Sequence, residues 1–149
     1  TEMLKQALQD HPNAIIWVKT HPDVLAGKAK GHFSFEHLKS SNIKLITQNY
    51  NPITLCQLMS EVYVVSSQLG FEALLCGKTV HCFGISWYVG WGVTQNHLEL
   101  PKTIQERRNT SRSVEELFTA AYLNYAKYVS PISQQTCDLT NHICSCLWL

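Results

Sequence analysis

Four short apolar runs, at residues 14–18, 43–46, 62–65 and 79–83, alternate with helix-forming stretches, and this alternation constrains the fold more than anything else in the chain. The first of them, residues 14–18, is a continuous apolar run that suits a strand buried on both faces of a parallel sheet. Residues 2–10 read as a first helix with Met3, Leu4, Ala7 and Leu8 on one side, and His11-Pro12-Asn13 stops it because proline cannot continue a helix. Asn51 caps a second helix whose first position, Pro52, loses no available hydrogen bond, and that helix runs to about residue 60. Ser66 or Ser67 caps a third, which ends at Gly77. Ser113 caps a long helix with Glu115 and Glu116 in its first turn, where carboxylates favour the dipole, and residues 136–147 read as a last helix. Residues 20–33 read as a loop of functional length and 35–40 as a short helix. Strand, loop and helix repeated in this order predict an α/β fold on a doubly wound parallel sheet, with ligands at the carboxyl ends of the strands.

A chain of 149 residues, 45% hydrophobic, can bury the core of a single domain spanning 1–149. Its formal net charge of +1 excludes a dedicated nucleic-acid or anionic-membrane binder. Lys28 with Lys30, and Arg107 with Arg108, are basic spots of a size that serves one phosphate group. None of the six cysteines has Cys-x-x-Cys spacing, and Cys56, Cys76 and Cys82 lie in apolar segments, so they are expected to be reduced, small hydrophobes in a cytoplasmic protein. No run of eighteen apolar residues is present, so no membrane span is expected. Thr1 leads at once into a helix-like stretch, as in a segment excised from a longer protein.

The residues best suited to chemistry lie just after the apolar runs. Ser66 and Ser67 follow the third run directly and open onto a helix start, where free N–H groups and hydroxyls can hold a phosphate. Glu72, one turn further, can accept hydrogen bonds from a ribose. Caps of this kind are common, and taken alone they are ordinary caps with a solvated carboxylate. His21 follows the first run, and Pro22 forces it into an extended conformation that fixes where the imidazole points. Lys19 and Lys28 can add positive charge at the same end of the sheet. An isolated His-Pro is otherwise a loop feature without consequence. Tyr88, Gly90, Trp91 and Gly92 form an aromatic, glycine-rich loop that can stack on a base or sugar, or equally plug the edge of the sheet.

Other motifs fail on spacing. Gly70 and Gly77 are separated by six residues where a P-loop requires four, and Lys78 falls at a helix end. Gly90-Trp91-Gly92 is no dinucleotide fingerprint. His32 and His37 have no third ligand, so no metal is expected.

Taken together and in order, Val18-Lys19-Thr20-His21-Pro22-Asp23, Tyr63-Val64-Val65-Ser66-Ser67-Gln68-Leu69-Gly70-Phe71-Glu72, His81-Cys82-Phe83-Gly84 and Tyr88-Val89-Gly90-Trp91-Gly92-Val93-Thr94 resemble the capsule polysaccharide synthesis family of KpsC and LipA proteins. Arg107-Arg108, Ser113, Tyr128-Val129-Ser130-Pro131 and Cys137 extend the resemblance over nearly the whole chain. Val89, where alanine is usual, and Ser86-Trp87, where proline and an aromatic are usual, depart from it only in the loop.

The resemblance implies a β-Kdo transferase that builds a poly-Kdo linker from CMP-Kdo on a lipid anchor for Gram-negative capsules. It implies a Rossmann-like, donor-binding C-terminal half of a GT-B-like enzyme that needs no metal or cofactor. Lys19, His21, Pro22, Lys28, Ser66, Ser67 and Glu72 would then bind the nucleotide, and His21 would stabilise the leaving phosphate. Tyr88, Gly90, Trp91 and Gly92 would face sugar or acceptor. The principal acid or base would come from an N-terminal domain, so this segment alone would be inactive. Partners would be the CMP-sugar, the lipid-linked acceptor and that N-terminal domain, at the cytoplasmic face of the inner membrane. The alternatives are a non-catalytic Rossmann-like module of capsule export machinery, and a transferase of the same fold using a different nucleotide sugar.

Overall fold

The computed structural model describes residues 2–19, 42–48 and 50–147. Two compact units divide the chain: residues 1–87 with 95–99, and residues 88–94 with 100–149.

The first unit begins with α1 (Glu2–Asp10), whose Leu4 and Ala7 are buried. A turn closed by the Ala14 N–H on the His11 carbonyl leads into β1 (Ile16–Lys19). β1 pairs in parallel with β2 (Ile43–Ile46). α2 (Pro52–Leu58) opens as its sequence requires, for Asn51 Oδ1 accepts from the N–H groups of Ile53 and Thr54 at 2.9 and 3.2 Å. β3 (Glu61–Val64), α3 (Leu69–Leu75) and β4 (Thr79–Cys82) follow, and β3 and β4 are parallel. α3 ends in a Schellman arrangement: Gly77 N–H bonds the Leu74 carbonyl and Lys78 N–H the Ala73 carbonyl. The Gly77-Lys78 pair is therefore a helix terminus, as its spacing indicated.

Parallel ladders and intervening helices establish the α/β class. The expected strands are present within two residues at each end, but among the described residues they do not form one hydrogen-bonded sheet. There β1 pairs with β2 alone, while β3 and β4 continue into a two-residue strand, β5 (Gln95–Asn96). Alternation along a sequence predicts parallel strands but carries no information about which of them bond.

Burial on both faces is corrected for β1, where Val18 alone of the four residues is buried. In β3 and β4 burial alternates, with Val62, Val64, Val80 and Cys82 buried and Glu61, Tyr63, Thr79 and His81 less so. α3 packs against β3 and β4 and contributes buried Phe71, Ala73 and Leu74. The opposite face carries polar aromatics, and α1 lies against β3 there.

The second unit contains α4 (Lys102–Arg107) and α5 (Val114–Phe118), which continues as a π-helical stretch, Thr119–Tyr125. Ser113 and Glu116 form a full capping box: Ser113 Oγ accepts from Glu116 N–H at 3.1 Å and the Glu116 carboxylate from Ser113 N–H at 2.8 Å. Residues 136–147 are not a single helix. Thr136–Cys137 form β7, antiparallel to β6 (Tyr128–Val129), and the helix α6 is Leu139–Leu147. Gln134, at φ 55°, turns the chain between these strands, and buried Ser130 accepts from the N–H groups of Ile132 and Ser133. No helix among the described residues is long and apolar enough to cross a membrane.

Candidate functional site

The expected phosphate loop sits where a parallel strand ends. β3 stops at Val64, and Val65, Ser66, Ser67 and Gln68 are all exposed before α3 begins at Leu69. The helix boundary falls one residue later than predicted. Gln68 is the cap position and makes no side-chain capping bond, whereas Ser67 Oγ accepts from Leu69 N–H at 3.3 Å. This serine turn, rather than a helix cap, shapes the loop. Glu72 lies in the first turn of α3 and is partly exposed.

The end of β4 closes on the same place. A Cβ at Gly84 would stand 2.8 Å from Val65 Cγ1 and 3.0 Å from the Val65 carbonyl oxygen, so only glycine lets the two strand ends approach so closely. Beyond it, Trp87 Nε1 donates to Gln68 Oε1 at 3.2 Å, and the indole meets the ring of Phe71 at 4.3 Å between centroids. Gln68 and Trp87 thus border the serine loop. Sequence reasoning placed Trp87 in the aromatic loop without this partner, because their contact spans nineteen residues.

Lys19 is the last residue of β1 and is partly exposed, at the carboxyl end of its own ladder. His21, Pro22 and Lys28 lie outside the described residues.

In the second unit, Gly90 and Gly92 both take φ near +86°, and the loop is clamped by the segment after Leu100. Arg108 donates to the Val89 carbonyl and holds its guanidinium 5.6 Å above the Trp91 ring, while Arg112 N–H bonds the Trp91 carbonyl at 2.8 Å. Burial, and then neighbouring Arg107, push the Arg108 pKa down. Tyr88 and Val89 are fully buried. Tyr88 is therefore a packing residue, and the stacking surface the sequence suggested reduces to partly exposed Trp91 and its two glycines.

One further constellation is invisible in the sequence. Glu61 Oε2 accepts from His81 Nε2 at 2.8 Å and from His11 Nε2 at 3.1 Å, and His81 Nδ1 lies 2.8 Å from His97 Nε2. Tyr63 stacks on His81 at 4.2 Å and Phe83 on His97 at 4.5 Å. Only the strict two-residue period of Glu61, Tyr63 and of Thr79, His81, Phe83 hints that these residues share one face.

The sequence pattern described as "Capsule polysaccharide biosynthesis protein" matches residues 1–128. The chain is 46% identical over 130 residues to the capsule polysaccharide modification protein LipA of Neisseria meningitidis serogroup B, covering 87% of this chain and 18% of that protein. It is 34% identical over 127 residues to the lipopolysaccharide-processing protein LpsZ of Rhizobium meliloti, covering 85% of this chain and 28% of that protein. Among solved structures it resembles Thermosulfurimonas dismutans KpsC, beta Kdo 2,4 transferase, with TM-score 0.84 and 38% identity over 95% of this chain and 42% of that one. The beta Kdo 2,7 transferase of the same KpsC gives TM-score 0.76 and 32% identity, over 98% of this chain and 45% of that one. The chain thus spans less than a third of these curated relatives and less than half of either solved transferase.

Proposed function

Because the chain belongs to the capsule polysaccharide biosynthesis protein family, we propose that it is the nucleotide-sugar-binding, C-terminal half of a GT-B-like β-Kdo transferase with CMP-Kdo as donor. The observation that carries this reading is the exposed Ser66-Ser67 loop, which follows a parallel strand and leads into α3 with Glu72 in its first turn. Loop N–H groups and serine hydroxyls supply donors to the single phosphate of CMP, and Glu72 accepts from the ribose. Hydroxyl and amide donors held by a rigid strand end stabilise charge as the phosphate leaves, without a divalent cation. His21 is assigned to the leaving oxygen, with Pro22, Lys19 and Lys28 beside it. Gly90, Trp91 and Gly92 are assigned to the sugar or acceptor. The catalytic acid or base is assigned to the N-terminal half, and the lipid-linked acceptor to the assembled enzyme at the cytoplasmic face of the membrane.

Titration of the full-length protein with CMP, followed by calorimetry, tests the assignment. Glu72→Ala and His21→Ala are each expected to weaken CMP binding by about tenfold, the scale of one lost charge-assisted hydrogen bond, while leaving the unfolding midpoint unchanged. Wild-type protein that ignores CMP, or alanine variants that bind it as tightly as wild type, would overturn it.

A further inference from the structure

The serine loop assigned to the donor phosphate runs alongside the segment that follows β4, and the two are joined at both ends. At the near end Phe83 N–H donates to the Val64 carbonyl at 2.9 Å, and Gly84 lies so close to Val65 that a Cβ would stand 2.8 Å from its Cγ1. At the far end Trp87 Nε1 donates to Gln68 Oε1 at 3.2 Å. Ser66 and Ser67 lie between these two attachments and are exposed.

We propose that Gln68 and Trp87 are positioning residues that preset this loop for the phosphate of a nucleotide sugar, a role that rests on the donor reading above. The residue types support it. A helix start favours Ser, Thr, Asp or Asn, and Gln68 makes no side-chain capping bond in that position. Its longer side chain reaches instead to the indole, nineteen residues away in sequence. An indole N–H only donates, so the amide oxygen is the atom that must face it.

The indole is itself fixed. Its ring lies 4.3 Å from that of Phe71, centroid to centroid, and Phe71 is wholly buried. The core of the first unit therefore sets the direction of the N–H. Gln68 carries that constraint to both sides of its own position. It follows Ser67, whose hydroxyl accepts from Leu69 N–H at 3.3 Å, and its carbonyl accepts from the N–H groups of Phe71 and Glu72 at 3.0 and 3.2 Å. Fixing Gln68 thus sets Ser67, assigned to the phosphate, relative to Glu72, assigned to the ribose. Ser67, Gln68, Phe71 and Trp87 each make further interactions, so the pair is one link of a network and not the loop's sole support.

A loop already in its bound shape loses less conformational freedom when the ligand arrives. Without the preset, that ordering falls on the binding step and is shared by bound substrate and transition state alike. It then raises Kd and KM and leaves kcat unchanged.

Calorimetric titration of the full-length protein with CMP, arranged as a double-mutant cycle, tests this. Gln68→Met keeps the length of the side chain and removes the acceptor, while Trp87→Phe keeps a ring against Phe71 and removes the N–H. Each is expected to weaken CMP binding by about threefold, the scale of one neutral hydrogen bond, and the double variant also by about threefold rather than about ninefold. In transfer assays the donor KM should rise by the same factor, with kcat within about twofold of wild type. The urea midpoint of Gln68→Met should match wild type, because residue 68 is exposed. If wild type binds CMP and Ser67→Ala weakens it, the donor reading stands, and a Gln68→Met variant that binds as tightly as wild type would then overturn the positioning role alone. Wild-type protein that ignores CMP would overturn both. A double variant about ninefold weaker, or a fall in kcat at unchanged KM, would also overturn the positioning role.

Discussion

Glu61, at the start of β3, and His81, on the neighbouring strand, share a hydrogen bond of 2.8 Å, and His11 approaches the same carboxylate oxygen at 3.1 Å. Partial burial pushes the Glu61 carboxyl up, but the bonds from His81 and His11 outweigh it and leave the carboxyl below its ordinary range. A carboxyl depressed in the folded state contributes stability above its unfolded value of about 4.3, and that contribution disappears as pH falls through the folded value. Glu61 thus stays ionised throughout the range in which imidazoles take up protons.

The expected consequence is an acid limb of stability that depends on Glu61. Urea midpoints measured from about pH 7 to about pH 3 should fall more steeply below about pH 4.3 in the wild type than in Glu61→Gln. Parallel profiles for the two proteins would sink this assignment.

Phe71 is wholly buried between the β3–β4 face and the Trp87 indole. Phe71→Ala should cost about 3–5 kcal/mol in urea unfolding, since the lost transfer energy and the cavity add. A cost below about 1 kcal/mol would mean that the first unit's core does not rest on α3 as described.

Gly84 brings the ends of β3 and β4 together beside the serine loop. Gly84→Ala should destabilise by about 1–3 kcal/mol through overpacking against Val65. Adding Val65→Ala should recover only part of that loss, because the carbonyl of residue 65 remains 3.0 Å from the new Cβ. Full recovery in the double variant would show that the backbone contact is unimportant.

The capping box at Ser113 offers a local test in the second unit. Ser113→Ala should cost about 1 kcal/mol and raise hydrogen exchange in the first turn of α5. Unchanged exchange at Glu115 and Glu116 would mean that the helix start is held by something other than this pair.

How far the fold could be read in advance depended on the range of the interaction that decides each element. Asn51-Pro52, the Gly77 terminus and the Ser113–Glu116 box were legible because each works within three to five residues. The four longer strands announced themselves as apolar runs. β5, β6 and β7 are two residues each, too short for any periodicity, and exist only through their pairing. The helix expected over 136–147 therefore begins only at Leu139, because Thr136 and Cys137 pair antiparallel with β6 instead.

The site divides in the same way. The sequence by itself determined the family resemblance, the α/β class and the position of Ser66, Ser67 and Glu72 at the junction of strand and helix, since these follow from contiguous residues. Only the tertiary structure decided that Tyr88 is buried, that Gly84 closes on Val65, and that His11, Glu61, His81 and His97 meet. Those contacts join residues sixteen to fifty positions apart, and their energies exist only once strand pairing has fixed which side chains share a face.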